Sequence, residues 1–212
     1  LAVMGLADEF TVEMACFVTG DADAKQILSA LTEQNAFIKC LEDGVTYRFH
    51  HMMKECAARS FQTLPAADRR AYLDRYGAWY AAHGQYLHAM NAFRASGNAD
   101  AWLGAVERDA GILLSSLPKE EVQRALSACP DEALDAHPLA LLVLMRSMFN
   151  WRQIPKMLEL KALLLSAIDD NGELSEAECG NLLGECDLIM SFLCYNDISA
   201  MSRLHRSASA QM

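Results

Sequence analysis

The sequence holds little that could carry out chemistry. It contains no Gly-x-x-x-x-Gly-Lys-Ser/Thr, so it lacks the backbone amides, lysine and Mg²⁺ ligand that cradle a nucleoside triphosphate. The chain alone is expected neither to bind ATP tightly nor to hydrolyse it. No Gly-x-Ser-x-Gly or other nucleophile context occurs. The seven cysteines (Cys16, Cys40, Cys56, Cys129, Cys179, Cys186 and Cys194) form no Cys-x-x-Cys, which argues against a zinc site. Their odd, scattered number suits a reducing cytoplasm, not a disulfide framework. The longest strongly apolar run, Leu139 to Met145, falls far short of the roughly 20 residues needed to span a bilayer. No charged-then-apolar leader opens the sequence. Positive charge is scarce: 18 Lys and Arg stand against 28 Asp and Glu, for a net charge of -10. That balance argues against a grip on nucleic acid through phosphate contacts.

What is present is the composition of a packed, mainly helical protein. Apolar residues make up 52% of the 212, and the mean hydropathy is +0.05. This suits one large or two small domains with a substantial core. Residues 1 to about 64 read as a small mixed unit. Phe10, Met14 and Phe17 recur at helical spacing, which predicts a helix from Asp8 to Phe17. Thr19-Gly20-Asp21 breaks it, and Asp21 can cap the next helix. Ile27, Leu28 and Leu31 share a face of a second helix, Ala22 to Gln34, ended by Asn35. Ala36 to Leu41 and Val45 to Phe49 are β-prone runs around Glu42-Asp43-Gly44, a hairpin signal. A third helix is expected from His50 to Leu64. Helix, helix, hairpin, helix is the order of a winged helix, here a partial one.

From Pro65 to the end the pattern is helical throughout. Pro65 opens a helix to His83, with Gly84 as its stop. Gln85 to Ser96 follows, ended by Gly97-Asn98. A single helix is expected over Ala99 to Leu117, then a short one from Pro118 to Ala128. Cys129-Pro130 and His137-Pro138 bracket a short element. Leu139 to Asn150, Arg152 to Ile168, Ser175 to Tyr195 and a helix from Asp197 complete the chain. Short joints between such helices imply antiparallel neighbours. Trp79, Tyr80, Gly84, Tyr86, Ala89, Ala92, Phe93 and Ala95 resemble a tetratricopeptide unit, in which small residues let paired helices approach and aromatics fill between them. Later helices lack that signature, so the expected fold is an irregular α-solenoid over residues 65–212.

Several groups invite a functional reading. His50 and His51 are adjacent at a strand-to-helix junction, where neighbouring side chains point in different directions. As protonated groups they would meet the positive end of the helix dipole, and an anion nearby would improve the electrostatics. The plainer reading is a surface pair at a helix start. Asp169 to Glu173 suggests a calcium loop, with Glu178 at position twelve, but position one would fall on Ala167, which is no ligand; a helix stop fits better. Glu120-Glu121 reads as acidic residues at a helix start. Lys54, Arg69, Arg70 and Arg75 read as solvated helix faces. Tyr72, Tyr76, Trp79, Tyr80, Tyr86 and Phe93 read as core between the first solenoid helices, with Trp102, Phe149 and Trp151 anchoring later pairs.

The run Tyr47-Arg48-Phe49-His50-His51-Met52-Met53-Lys54-Glu55 resembles the Tyr-Arg-Tyr-His-His-Leu-Phe segment of the large LuxR-type transcription regulators of the MalT-like class. Leu31 to Ile38 and Trp79 to Asn98 resemble further parts of the same proteins, in the same order, over about residues 6 to 115. The resemblance implies an internal piece of a longer regulator, consistent with Leu1 as first residue: the winged helix of a STAND-type signalling ATPase followed by part of a helical sensor. Related ATPases carry a Met-His-Asp motif whose histidine meets the β-phosphate of ADP. Aligned with it, His50 takes the phosphate-facing place, while His51 replaces the aspartate. The implied cofactor of the intact protein is ATP or ADP. The implied partners are a small-molecule or protein effector on the helical part and the missing ATPase and helix-turn-helix domains, with no nucleic acid or membrane bound by this segment. The chain carries no catalytic or metal residue on this reading. A stand-alone helical scaffold that binds a partner protein is the alternative.

Overall fold

The computed structural model describes residues 2–34, 37–170, 172 and 174–212. Asn35, Ala36, Asn171 and Glu173, which belong to the helix end, the first β-prone run and the turn expected from the sequence, lie outside them. The chain divides into two compact units, Leu1–Asn98 and Ala99–Met212. The sequence boundary at residue 64 falls inside the first.

The first unit begins with a 3₁₀ turn, Val3–Leu6, then strand β1 (Phe10–Thr11) and helix α1 (Val12–Thr19). Helix α2 (Ala24–Glu33) leads to β2 (Ile38–Cys40) and β3 (Thr46–Phe49). Helices α3 (His51–Gln62), α4 (Ala66–Ala82) and α5 (Tyr86–Ser96) follow. The strands form an antiparallel sheet in the order β1-β3-β2, so the unit starts as a winged helix in a mainly α chain. The hairpin turns where expected: the Asp43 carboxylate accepts from the Val45 and Thr46 amides at 3.0 and 2.9 Å, and Gly44 takes φ +72°.

The helix expected from Asp8 starts only at Val12. Thr11 caps it, its hydroxyl accepting the Met14 amide at 3.2 Å. Phe10 instead pairs with Tyr47 across β1 and β3, is 2% exposed, and packs its ring 5.3 Å from that of Phe49. Burial of an aromatic against β3 outweighs the helical spacing of Phe10, Met14 and Phe17, and Phe17 is left exposed.

Two close approaches hold the helices of this unit. A Cβ on Gly5 would stand 2.3 Å from Ala57 Cβ, so the N-terminal turn lies directly on α3. A Cβ on Gly77 would stand 2.4 Å from the Phe93 ring. Tyr80 faces His88 while Gly77 faces Phe93, so α4 and α5 run antiparallel. Tyr76, beside that seam, is buried and donates its hydroxyl to Val3 O at 2.9 Å. Burial pushes the phenol well above its ordinary range, so it stays a donor. Tyr76→Phe removes this hydrogen bond, leaving Val3 O to its 3₁₀ turn alone, and is expected to lower stability by about 1 kcal/mol. Urea unfolding of the two proteins side by side tests this; coincident curves would mean the hydrogen bond contributes nothing.

The second unit holds α6 (Ala99–Asp109), a 3₁₀ turn (Leu114–Ser116), α7 (Lys119–Ser127), α8 (Asp131–Asp135) and α9 (Pro138–Asn150). Then come α10 (Ile154–Asp170), α11 (Glu176–Ser191), a 3₁₀ turn (Phe192–Cys194) and α12 (Ile198–Gln211). Its core centres on α9 and α10, where Leu141, Leu144, Met145, Met148, Met157 and Leu164 are fully buried. The single helix expected over Ala99–Leu117 breaks after Asp109. Ala110 and Gly111 turn left-handed, at φ +51° and +81°. The buried Asp109 carboxylate then accepts from the Leu113 amide at 3.0 and 2.9 Å, one oxygen each, and from the Leu114 amide at 2.9 Å.

Candidate functional site

β3 alternates strictly. Tyr47 and Phe49 are buried while Arg48 is exposed, so the strand is anchored through one face and presents the other. His50 follows at the residue just before α3, with φ -58° and ψ 143°. Its amide donates to Phe37 O at 2.7 Å, which extends the pairing of the hairpin by one bond. His50 and His51 are both exposed. Their rings lie 4.3 Å apart, tilted by 45°. Phe37 completes the corner, its ring 6.1 Å from that of His50. Its φ of +59° is rare for a bulky residue, and such strain tends to persist at functional positions.

These residues border a groove of about 400 Å³ that also takes in Lys39 and Arg48. The sheet register sets Lys39 directly opposite Arg48, and both are exposed. Like charges so placed repel. Glu9 relieves Arg48 through an ion pair, and Asp8 pairs with Lys54 in the first turns of α3. The Lys54 ammonium, by hydrogen bond and charge, holds the Asp8 carboxyl below its usual range. No side chain of His50 caps α3, whose first amides lie at the same corner. In a chain of net charge -10, this corner gathers two permanent cations, two imidazoles and an uncapped helix start. It suits an anion.

The other candidates resolve differently. Ala167, at the first position of the calcium reading, is buried within α10. Glu178 instead closes a capping box, its carboxylate accepting from the Ser175 amide at 2.9 Å while the Ser175 hydroxyl accepts the Glu178 amide. Among the described residues no cluster of His, Cys, Asp or Glu could hold a metal ion, and no helix is long and apolar enough to cross a membrane. The solvated-face reading of the cations holds for Arg70, which is exposed, and needs correction for the other three: Lys54 pairs with Asp8, Arg69 donates to Gln62 O at 3.1 Å, and Arg75 donates to Val18 O at 3.2 Å while standing over the Tyr72 ring. Of the aromatics, Tyr76, Phe93 and Trp102 are buried, whereas Tyr72, Trp79, Tyr80, Tyr86, Phe149 and Trp151 are partly so.

One cluster escaped sequence reasoning. The His137 ring stands between Asp100 Oδ1 and Glu107 Oε1, 3.1 Å from each, with Glu107 also accepting the Ala140 amide at 3.3 Å. The cluster ties α6 to the start of α9. Its members are far apart in sequence, and the only local signal was the Asp100–Glu107 spacing of two helical turns.

No curated protein and no solved structure matches the chain. Residues 1–70 match the family model of the MalT winged helix domain, which is what this part of the chain is similar to and which supports reading the chain as a MalT-like fragment.

Proposed function

We propose that the chain is the winged-helix and sensor segment of an ATP-dependent LuxR-type transcription regulator. In this reading residues 1–64 close a STAND-type ATPase module. Residues 65–212 form a tetratricopeptide-like sensor, and the Gly77–Phe93 seam of α4 and α5 supports that assignment. The segment is not catalytic alone. It couples an effector on its helical part to the nucleotide state of an ATPase elsewhere in the same cytoplasmic protein, while a helix-turn-helix domain engages DNA. Such coupling requires contacts that differ between the two states.

The observation that carries the reading is His50. It lies in the stretch similar to the MalT winged helix, exposed, at an uncapped helix start beside Lys39 and Arg48. His50 is the residue assigned to the β-phosphate of ADP. His51 has no such role. In the intact regulator, His50→Ala is expected to speed ADP release about tenfold, the scale of one charge-assisted hydrogen bond. Release of fluorescent ADP in stopped flow measures it. Unchanged retention would remove His50 from the nucleotide site.

A further inference from the structure

A second recess, of about 330 Å³, lies within the first unit where the end of α3 meets α4 and α5. Phe61, Leu73 and Ala95 give it apolar walls, and Arg69 and Arg70 border it. Phe61 is 2% exposed and belongs to the core of the unit, so that wall is rigid. Arg69 is held in place: one guanidinium nitrogen donates to Gln62 O at 3.1 Å and to Gln62 Oε1 at 2.9 Å. Arg70 is exposed, and among the described residues it has no hydrogen-bond or ion-pair partner. Asp74, one helical turn on, makes no ion pair with it.

The lining sets the chemistry. A planar guanidinium takes a carboxylate through two parallel hydrogen bonds. Rigid apolar walls favour a hydrocarbon body over bare inorganic anions, whose hydration they cannot replace. The volume suits a small molecule, not a peptide. We infer that this recess is a binding site for a small organic carboxylate with a short apolar body, its carboxylate on Arg70 and its body against Leu73 and Ala95, with the buried Phe61 behind them. The inference stands apart from the nucleotide reading, because it uses neither His50 nor the groove beside it. It would place a ligand at one end of α3, with His50 at the other.

The test uses the 212-residue chain with benzoate as probe, followed by amide chemical shifts in two-dimensional NMR. Benzoate is expected to shift the amides of Phe61, Arg70, Leu73 and Ala95 saturably. Benzamide, the same shape without charge, should shift them little, and inorganic phosphate should not compete. Arg70→Gln, an exposed substitution that leaves the core untouched, should weaken benzoate about tenfold. Equal response to benzamide, undiminished binding by the variant, or shifts centred on His50 would each overturn the assignment. Effective competition by phosphate would overturn the apolar half of it.

Discussion

Gly77→Leu should lower the stability of the first unit by about 3 kcal/mol or more, an overpacking penalty at the upper end of the usual range. Even a bare Cβ at this position meets the Phe93 ring at 2.4, 2.6 and 2.7 Å. Phe93 is 6% exposed and has no solvent side to retreat to. A leucine would therefore force α4 and α5 apart along a seam that also positions Tyr76. Gly104→Ala is the matched control. Its Cβ would meet only His137 Cε1, at an ordinary 3.8 Å, so replacing a mid-helix glycine there should stabilise by roughly 0.5–1 kcal/mol. Thermal and urea unfolding of both variants separates the two effects. If Gly77→Leu keeps the parent midpoint, the close approach of α4 and α5 is wrong.

Asp109→Ala should be comparably damaging, in the second unit. The side chain is 2% exposed, and its two oxygens take the amides of Leu113 and Leu114 in three hydrogen bonds. Those amides come just after the end of α6, where no helical partner remains for them. Removing the carboxylate strands both: the Leu114 amide is buried and the Leu113 amide only partly so, and a buried amide left without a partner costs about 1–3 kcal/mol. The expected loss is about 3 kcal/mol in total. Asp109→Asn keeps one carbonyl acceptor and should recover part of it. Amide hydrogen exchange gives the local readout: protection at Leu113 and Leu114 should collapse in the alanine variant and partly return in the asparagine one. Full protection without the carboxylate would show that these amides are satisfied in some other way.

Asp109 also shows why some of the fold was hidden in the sequence. The apolar pattern over Ala99–Leu117 runs on past Gly111, the one local stop signal in it, and that glycine does not announce that Ala110 will turn left-handed before it. The break is made by a carboxylate reaching four and five residues ahead, a local hydrogen bond that competes with the helix. Phe10 was hidden for the converse reason. Its spacing to Met14 and Phe17 is helical, but its partner is Tyr47, and pairing over that distance leaves no local trace. By contrast, Gly84 and Gly97, where α4 and α5 end, and Asp43-Gly44 in the hairpin were readable, because each acts through its own backbone. The candidate site divides in the same way. His50 stood out as a pattern of neighbours. Its setting did not, since the opposition of Lys39 and Arg48 depends on strand register and the strained Phe37 on how the chain enters β2. The His137 cluster, built across α6 and the start of α9, was beyond reach.

The contact between Gly5 and Ala57 has a kinematic consequence. His50 sits between two anchored bodies. On one side, β3 is held by Tyr47 and Phe49 in the core. On the other, α3 is pressed onto the N-terminal turn at Ala57 and seated in the core at Phe61. The junction therefore has no independent hinge. To shift the backbone of His50, as opposed to turning its exposed ring, α3 must slide or roll, and that motion lifts Ala57 from Gly5 and disturbs the turn whose Val3 carbonyl Tyr76 holds. Movement at the histidine corner and movement of α4 are then two ends of one displacement, and a signal starting at either end would have to travel through the glycine contact.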